Sequence, residues 1–289
     1  MPPYFCFMDS PITLATRKSP LALKQTELTV QFLKSHFPDR EFAILPLSTT
    51  GDQQQNWSLQ QQGGKGLFTK ELEEALLDGR AHIAVHSAKD LPTELPKGLE
   101  IGGYLPRATP NDVLVRHKGS PTPKTIATGS PRRQAQLKRL FPEAEFSEIR
   151  GSVQTRMEKI AQKRLADATM LAAAGLERLG VNSFPDLIFE RVPLKDCVPS
   201  VGQAAIALEM QANAHPKIRD VLCKQTASAI NLERAFLMAL GGGCHVAYAG
   251  HVEGNTFHVF HESIGYRSYS IETIEQFDLD AVLNDINHG

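Results

Sequence analysis

The feature that most constrains this chain is a junction between a strand and a helix that occurs twice. Ile12 to Thr16 reads as a short strand that runs through Arg17-Lys18 into Ser19-Pro20. Leu21, Gln25, Leu28 and Phe32 then recur at helical spacing. Thr125 to Thr128 repeats the strand, Ser130-Pro131 repeats the junction, and residues 132–140 (RRQAQLKRL) repeat the helix. Serine caps a helix well and proline suits its first position, so a helix starts at each site. Each start leaves free backbone N–H groups and the positive end of a helix dipole beside a hydroxyl, a favourable place for an anion.

A second parallel extends the first. Leu67 to Leu77 (LFTKELEEALL) reads as a helix, followed by the strand HIAV and the loop HSAKDLP; Val153 to Leu165 reads as a helix, followed by ATMLAAAG. Helix followed by apolar strand describes open α/β sheets with crossover connections, and such sheets bind ligands beyond the carboxyl ends of their strands. The expected architecture is two similar lobes facing a shared cleft. After about residue 226 the pattern changes: a helix over Ala227 to Leu240, a glycine break, alternating segments HVAYAGHVEG and TFHVFHE, and a last helix over Leu279 to Ile286. These predict a third, small unit with its own sheet. A chain of 289 residues can bury that many cores.

Charge narrows the function. Lys and Arg number 31 against 32 Asp and Glu, a formal net charge of −1, so wrapping nucleic acid through general basicity is not expected. No apolar run approaches the roughly 20 residues that cross a bilayer, and the opening MPPYFCFMDS lacks the pattern of a secretory leader. Cys6, Cys197, Cys223 and Cys244 include no CxxC pair, so neither a disulfide framework nor a zinc site is expected, and a cytoplasmic location follows. Between residues 128 and 156 the balance is uneven: Arg132, Arg133, Lys138, Arg139, Arg150 and Arg156 oppose Glu143, Glu145 and Glu148. Lys138 and Arg139 read as a solvated face. Arg132 and Arg133 sit in a first helical turn, against the dipole, where an anion would relieve them.

The loop His86-Ser87-Ala88-Lys89-Asp90 gathers a hydroxyl, an ammonium and a carboxylate where functional groups collect. His82 and His86 do not form a zinc-protease pattern, and His86 reads as a structural residue. Gly63-Gly64-Lys65-Gly66 lacks the spacing of a phosphate loop and reads as a mobile lid. Cys244 follows three glycines and is expected on an exposed loop.

Taken in order, ATRKSPLAL, GGKGLFTKELEEALL, HSAKDLP, SPRRQAQL, RGSVQTR, AAAGLERLG, PSVGQAAIALE and GGGCHV resemble the hydroxymethylbilane synthase (porphobilinogen deaminase) family over nearly the whole chain. The resemblance implies two periplasmic-binding-protein-like α/β lobes around a central cleft, residues 10–106 with 201–222 and residues 111–198, plus a small α+β domain over 226–289. It implies a transferase that condenses four porphobilinogen molecules head to tail on a covalent dipyrromethane, loses ammonia at each step, and releases hydroxymethylbilane with water. Cys244 matches the cysteine that carries this substrate-derived cofactor. Asp90, with Lys89 and Arg17, matches the catalytic set. Ser19, Ser87, Lys89, Asp90, Thr128, Ser130, Arg132, Arg133 and Arg150 match cofactor-binding positions, and Arg17, Ser19, Arg156 and Arg178 match positions that hold substrate carboxylates. Lys65 and Phe68 match the active-site loop. A cytoplasmic monomer without nucleic-acid or membrane partners is implied. The chain departs from the family pattern at Gly129, where serine is usual, at Ala127 and Ala204, where glycine is usual, and at Ser152, where asparagine is usual. An anion-sensing module of the same fold would use the arginines but not Asp90 or Cys244.

Overall fold

The computed structural model describes residues 11–53, 67–241 and 247–289. The chain begins with β1 (Ile12–Arg17), α1 (Pro20–His36), β2 (Phe42–Leu47), a single turn α2 (Thr50–Gln53), α3 (Lys70–Leu77), β3 (Ile83–Ser87) and β4 (Leu99–Tyr104). It crosses into a second sheet as β5 (Asp112–His117), β6 (Thr125–Ala127), α4 (Pro131–Leu140), β7 (Glu145–Ser147), α5 (Val153–Ala161), β8 (Ala168–Ala172), α6 (Ala173–Arg178) and β9 (Leu187–Arg191). It returns as β10 (Ile206–Gln211) and α7 (Pro216–Val221). The chain then forms α8 (Lys224–Ala239), β11 (Tyr248–Glu253), β12 (Thr256–His261), β13 (Gly265–Ser270) and α9 (Leu279–His288).

The two larger sheets share one plan. Their orders are β2-β1-β3-β10-β4 and β7-β6-β8-β5-β9. In each, the first three strands are parallel, and the fourth runs antiparallel between the third and the fifth. The antiparallel β10 reaches the first sheet only after the whole second sheet in sequence, whereas the antiparallel β5 is the first strand of the second sheet. The repeated junction in the sequence is therefore a repeat of topology, two α/β lobes joined by two crossovers.

Local chemistry accounts for the helix starts. Ser19 Oγ accepts the Ala22 N–H at 3.3 Å and Ser130 Oγ accepts the Arg133 N–H at 3.4 Å, each with proline next. Ser152 caps α5 in the same way through the Thr155 N–H at 3.2 Å. That helix stops at Ala161 rather than Leu165, because the chain winds out through Arg164 at a φ of 50°. β13, which the sequence pattern did not mark, completes the small antiparallel sheet β11-β12-β13.

Each sheet has its own core: Leu14, Ile83 and Leu208 under Leu33 of α1; Val115, Met157 and Ile160; and Phe236 edge-on against Phe257 in the third unit. Glu233, fully buried on α8, binds the third unit to both crossovers. It receives Arg107 at 2.5 and 3.1 Å, the Gly202 N–H at 2.8 Å and the Val252 N–H at 2.9 Å. Arg234 beside it donates to the carbonyls of Pro92 and Thr93, just beyond Asp90. On the other lobe, Ala135 and Val198 pack with Ala247, Ala249 and Phe260. No helix among the described residues is long and apolar enough to cross a membrane.

Candidate active site

The carboxyl ends of the parallel strands carry almost every residue singled out in the sequence. β1 ends at Arg17 and leads to Ser19; β3 ends at Ser87 and continues into the single 3-10 turn Ala88–Asp90. β6 leads to Thr128 and Ser130, β7 to Arg150, and β8 to α6 and Arg178. Gly202 backs the Lys89-Asp90 turn at a φ of +70°, where an added Cβ would come within 3.0 Å of Ala88 C and Lys89 N. Only glycine allows the second crossover to run that close to the turn. The lobes also touch through α1 and α6, where a Cβ on Gly175 would meet Leu21 at 3.7 Å.

Charge is concentrated where these ends meet. Lys89 and Asp90 are exposed, yet the protein crowded around Lys89 pulls its pKa below the usual lysine range, with Arg133 and Arg132 adding to the effect and Asp90 and Asp112 opposing it. Arg156 is pulled down to about 10, by burial first and then by Arg133 and Arg150, while Asp90 acts the other way. Lys89 of the first lobe thus lies within electrostatic reach of Arg132 and Arg133 of the second, and Asp90 within reach of Arg156.

The structure divides the arginines by what they hold. Arg132 and Arg133 do not wait for an outside anion to relieve the helix dipole. Their anion is internal, because both are buried against Asp112, with Nη2 to carboxylate distances of 2.7 and 2.6 Å. Arg133 Nε is buried and keeps no hydrogen-bond partner. Arg156 donates from Nε to the Gly151 carbonyl at 2.9 Å, and Arg178 donates to the Ala204 carbonyl at 2.5 Å. Burial pulls Arg178 down to about 10 as well. A cation that burial pulls down in this way is one that a carboxylate ligand restores. Arg150 lies 3.6 Å from Glu148, and Arg17 stacks on Phe68 with Cζ 4.2 Å from the ring centroid.

The hydroxyls are arranged for the same task. Ser19 and Ser130 each accept a backbone N–H and keep their own proton to donate. Thr128 accepts the Ser130 N–H at 3.2 Å, and Ser87 shares a 2.9 Å hydrogen bond with Gln25. His86 turns away from this set and lies, buried, 2.9 Å from Glu209, the structural place expected of it. Cys244, Lys65 and the lid reading of residues 63–66 lie outside the described residues. Asp112 and Gln203 escaped the sequence reading; the one available signal was a carboxylate opening the otherwise apolar run DVLV. A ligand carrying several carboxylates fits this donor set: guanidinium groups from both sides, free hydroxyl protons and an orphaned buried N–H.

These features define a two-lobed α/β protein with cations gathered at the strand ends of both lobes and a third unit fastened over the crossovers. Residues 12–219 match the family described as porphobilinogen deaminase, dipyromethane cofactor binding domain. The porphobilinogen deaminase of Desulforamulus reducens is 40% identical over 255 residues, covering 85% of this chain and 81% of that one. Those of Natranaerobius thermophilus and Moorella thermoacetica are 40% and 41% identical over 250 and 247 residues, covering 84% and 82% of this chain and 79% and 77% of theirs. The chain belongs to the porphobilinogen deaminase family, transferases of tetrapyrrole synthesis that work on a dipyrromethane cofactor.

Proposed function

We propose that this chain condenses four porphobilinogen molecules head to tail and releases hydroxymethylbilane, with Cys244 carrying the dipyrromethane and the cleft holding the growing oligomer. The observation that supports it best is that strand ends of both lobes bring Asp90 within electrostatic reach of Arg156, and Lys89 within reach of Arg132 and Arg133. Each pyrrole unit brings an acetate and a propionate, so an oligomer needs many cations, and arginine meets a carboxylate with a planar fork of donors. Arg132, Arg133 and Arg150, with Ser19, Ser87, Thr128 and Ser130, hold the cofactor's carboxylates; Arg17, Arg156 and Arg178 hold those of arriving substrate. When bound, the dipyrromethane supplies the nucleophilic pyrrole carbon to which substrate is joined.

Loss of ammonia from porphobilinogen leaves positive charge spread to its ring nitrogen. Asp90 accepts the hydrogen bond of that N–H and stabilises the charge where it develops. Lys89 and Arg17 belong to the same catalytic set. Phe68, stacked on Arg17, and Lys65 match the family's active-site loop. Cys197 does not compete for the cofactor: burial and Asp112 push its thiol up to about 12, leaving little thiolate. The enzyme works as a cytoplasmic monomer without a nucleic-acid partner, in keeping with its near-neutral net charge. Intact mass under denaturing conditions tests the reading. The wild-type chain is heavier than its sequence by one covalent dipyrrole, and Cys244→Ser lacks the increment. Wild type at chain mass and inert toward porphobilinogen overturns it.

A further inference from the structure

We infer that Asp112 is a positioning residue for the carboxylate grip: it aims Arg132 and Arg133 and ties them, through Gln203, to the crossovers between the lobes. The inference rests on the reading that this cleft holds the dipyrromethane and the oligomer. Asp112 opens β5, is wholly buried, and spends both carboxylate oxygens on side chains. Oδ1 accepts from Arg133 Nη2 at 2.6 Å and from Gln203 Nε2 at 3.0 Å. Oδ2 accepts from Arg132 Nη2 at 2.7 Å and from the Cys197 thiol at 3.5 Å.

Each guanidinium is then pinned a second time by backbone, Arg132 on the Val198 carbonyl at 2.5 Å and Arg133 on the Met170 carbonyl at 2.8 Å. Two anchor points fix the plane of a planar fork, so the direction of its remaining donors is set before a ligand arrives. Arg133 Nε is such a donor, buried and without a partner. Two adjacent buried guanidiniums repel and lose hydration; one shared carboxylate offsets both costs. The Gln203 side chain also donates to the Pro110 carbonyl at 2.7 Å, and the Gln203 backbone carbonyl accepts Arg107 Nε at 2.9 Å, so this residue joins the first crossover to the second. The charge of Asp112 also reaches the opposite lobe, where it supports the protonated form of Lys89.

Asp112→Asn keeps the shape, removes the charge and turns an N–H₂ toward one arginine. Wild type and variant are compared as holoenzyme and as chain made without porphobilinogen. The variant is expected to raise KM about tenfold or more with a smaller change in kcat. It should load less of the covalent increment when given porphobilinogen, and show a narrower gap in Tm between loaded and unloaded forms. The alkaline limb of its kcat/KM profile should move to lower pH, because Lys89 loses a nearby negative charge; a role in stability alone leaves that limb in place. A folded variant with wild-type KM, loading and pH limb overturns the assignment. If Asp112→Asn does not fold, Gln203→Met decides. It leaves the carboxylate and removes one donor, so KM should rise about threefold, and an unchanged KM overturns the assignment. Wild-type turnover is the control that separates this outcome from failure of the functional reading itself.

Discussion

Asp90 and Asp112 lie within electrostatic reach of overlapping sets of cations, and their surroundings give them different tasks. Asp90 is exposed, on a turn held by the close approach of Gly202. Its replacement by asparagine should lower kcat about 10²–10³-fold, the usual cost of one charge-stabilising contact, while mass analysis still finds the covalent cofactor. Asp112 is buried, and Arg132 and Arg133 hold its carboxyl well below the usual range despite the opposing cost of burial. Glu233 is held down likewise by Arg107 and His251. A carboxylate with a depressed folded pKa adds stability above its unfolded pKa of about 4, and that stability is lost as pH falls toward the folded value. Tm should therefore decline as pH drops below about 5, and the decline should be shallower in Asp112→Asn. The resemblance marked Asp90, whereas nothing local in the sequence marked Asp112. A buried carboxylate's role depends on partners 20 to 91 positions away.

At the scale of single elements, the legible parts are those that local chemistry decides. The starts of α1 and α4 follow from serine followed by proline, and the structure places both within a residue of the expected junction. The end of α5 was less legible, because its last turn unwinds through a left-handed arginine that no pattern announces. The segment before β10 contains another such residue, Ala204 at a φ of 70°, where glycine is usual in the family. Its carbonyl accepts both Arg178 and the Ala108 N–H, so the conformation is imposed by its neighbours. A Cβ in this region costs about 1–2 kcal/mol, part of which glycine gives back through the unfolded chain. Ala204→Gly should therefore stabilise the protein by about 1 kcal/mol in urea denaturation, and a loss of stability would refute the strain.

For the whole molecule, the decisive contacts join units distant in sequence. Arg107, Gly202, Glu233 and Val252 come from both crossovers and the third unit, and meet at one buried carboxylate. Removing one partner of a buried charge pair costs about 3–5 kcal/mol, since the other charge stays buried. Glu233→Gln should lower stability by about 3 kcal/mol in denaturant titrations and make the third unit the first to yield to limited proteolysis. A two-state transition at wild-type midpoint would show that the ion pair is not what fastens it. The repeated junction, the alternation of helix and strand and the local arginine excess were all written in the sequence, because each depends on residues within a few turns of one another. The insertion of β10 into the first sheet, the sharing of Asp112 by two arginines and the reach of Asp90 to Arg156 of the other lobe were decided only by tertiary structure. Each brings together groups far apart along the chain, and no local pattern records which distant partner satisfies a buried charge.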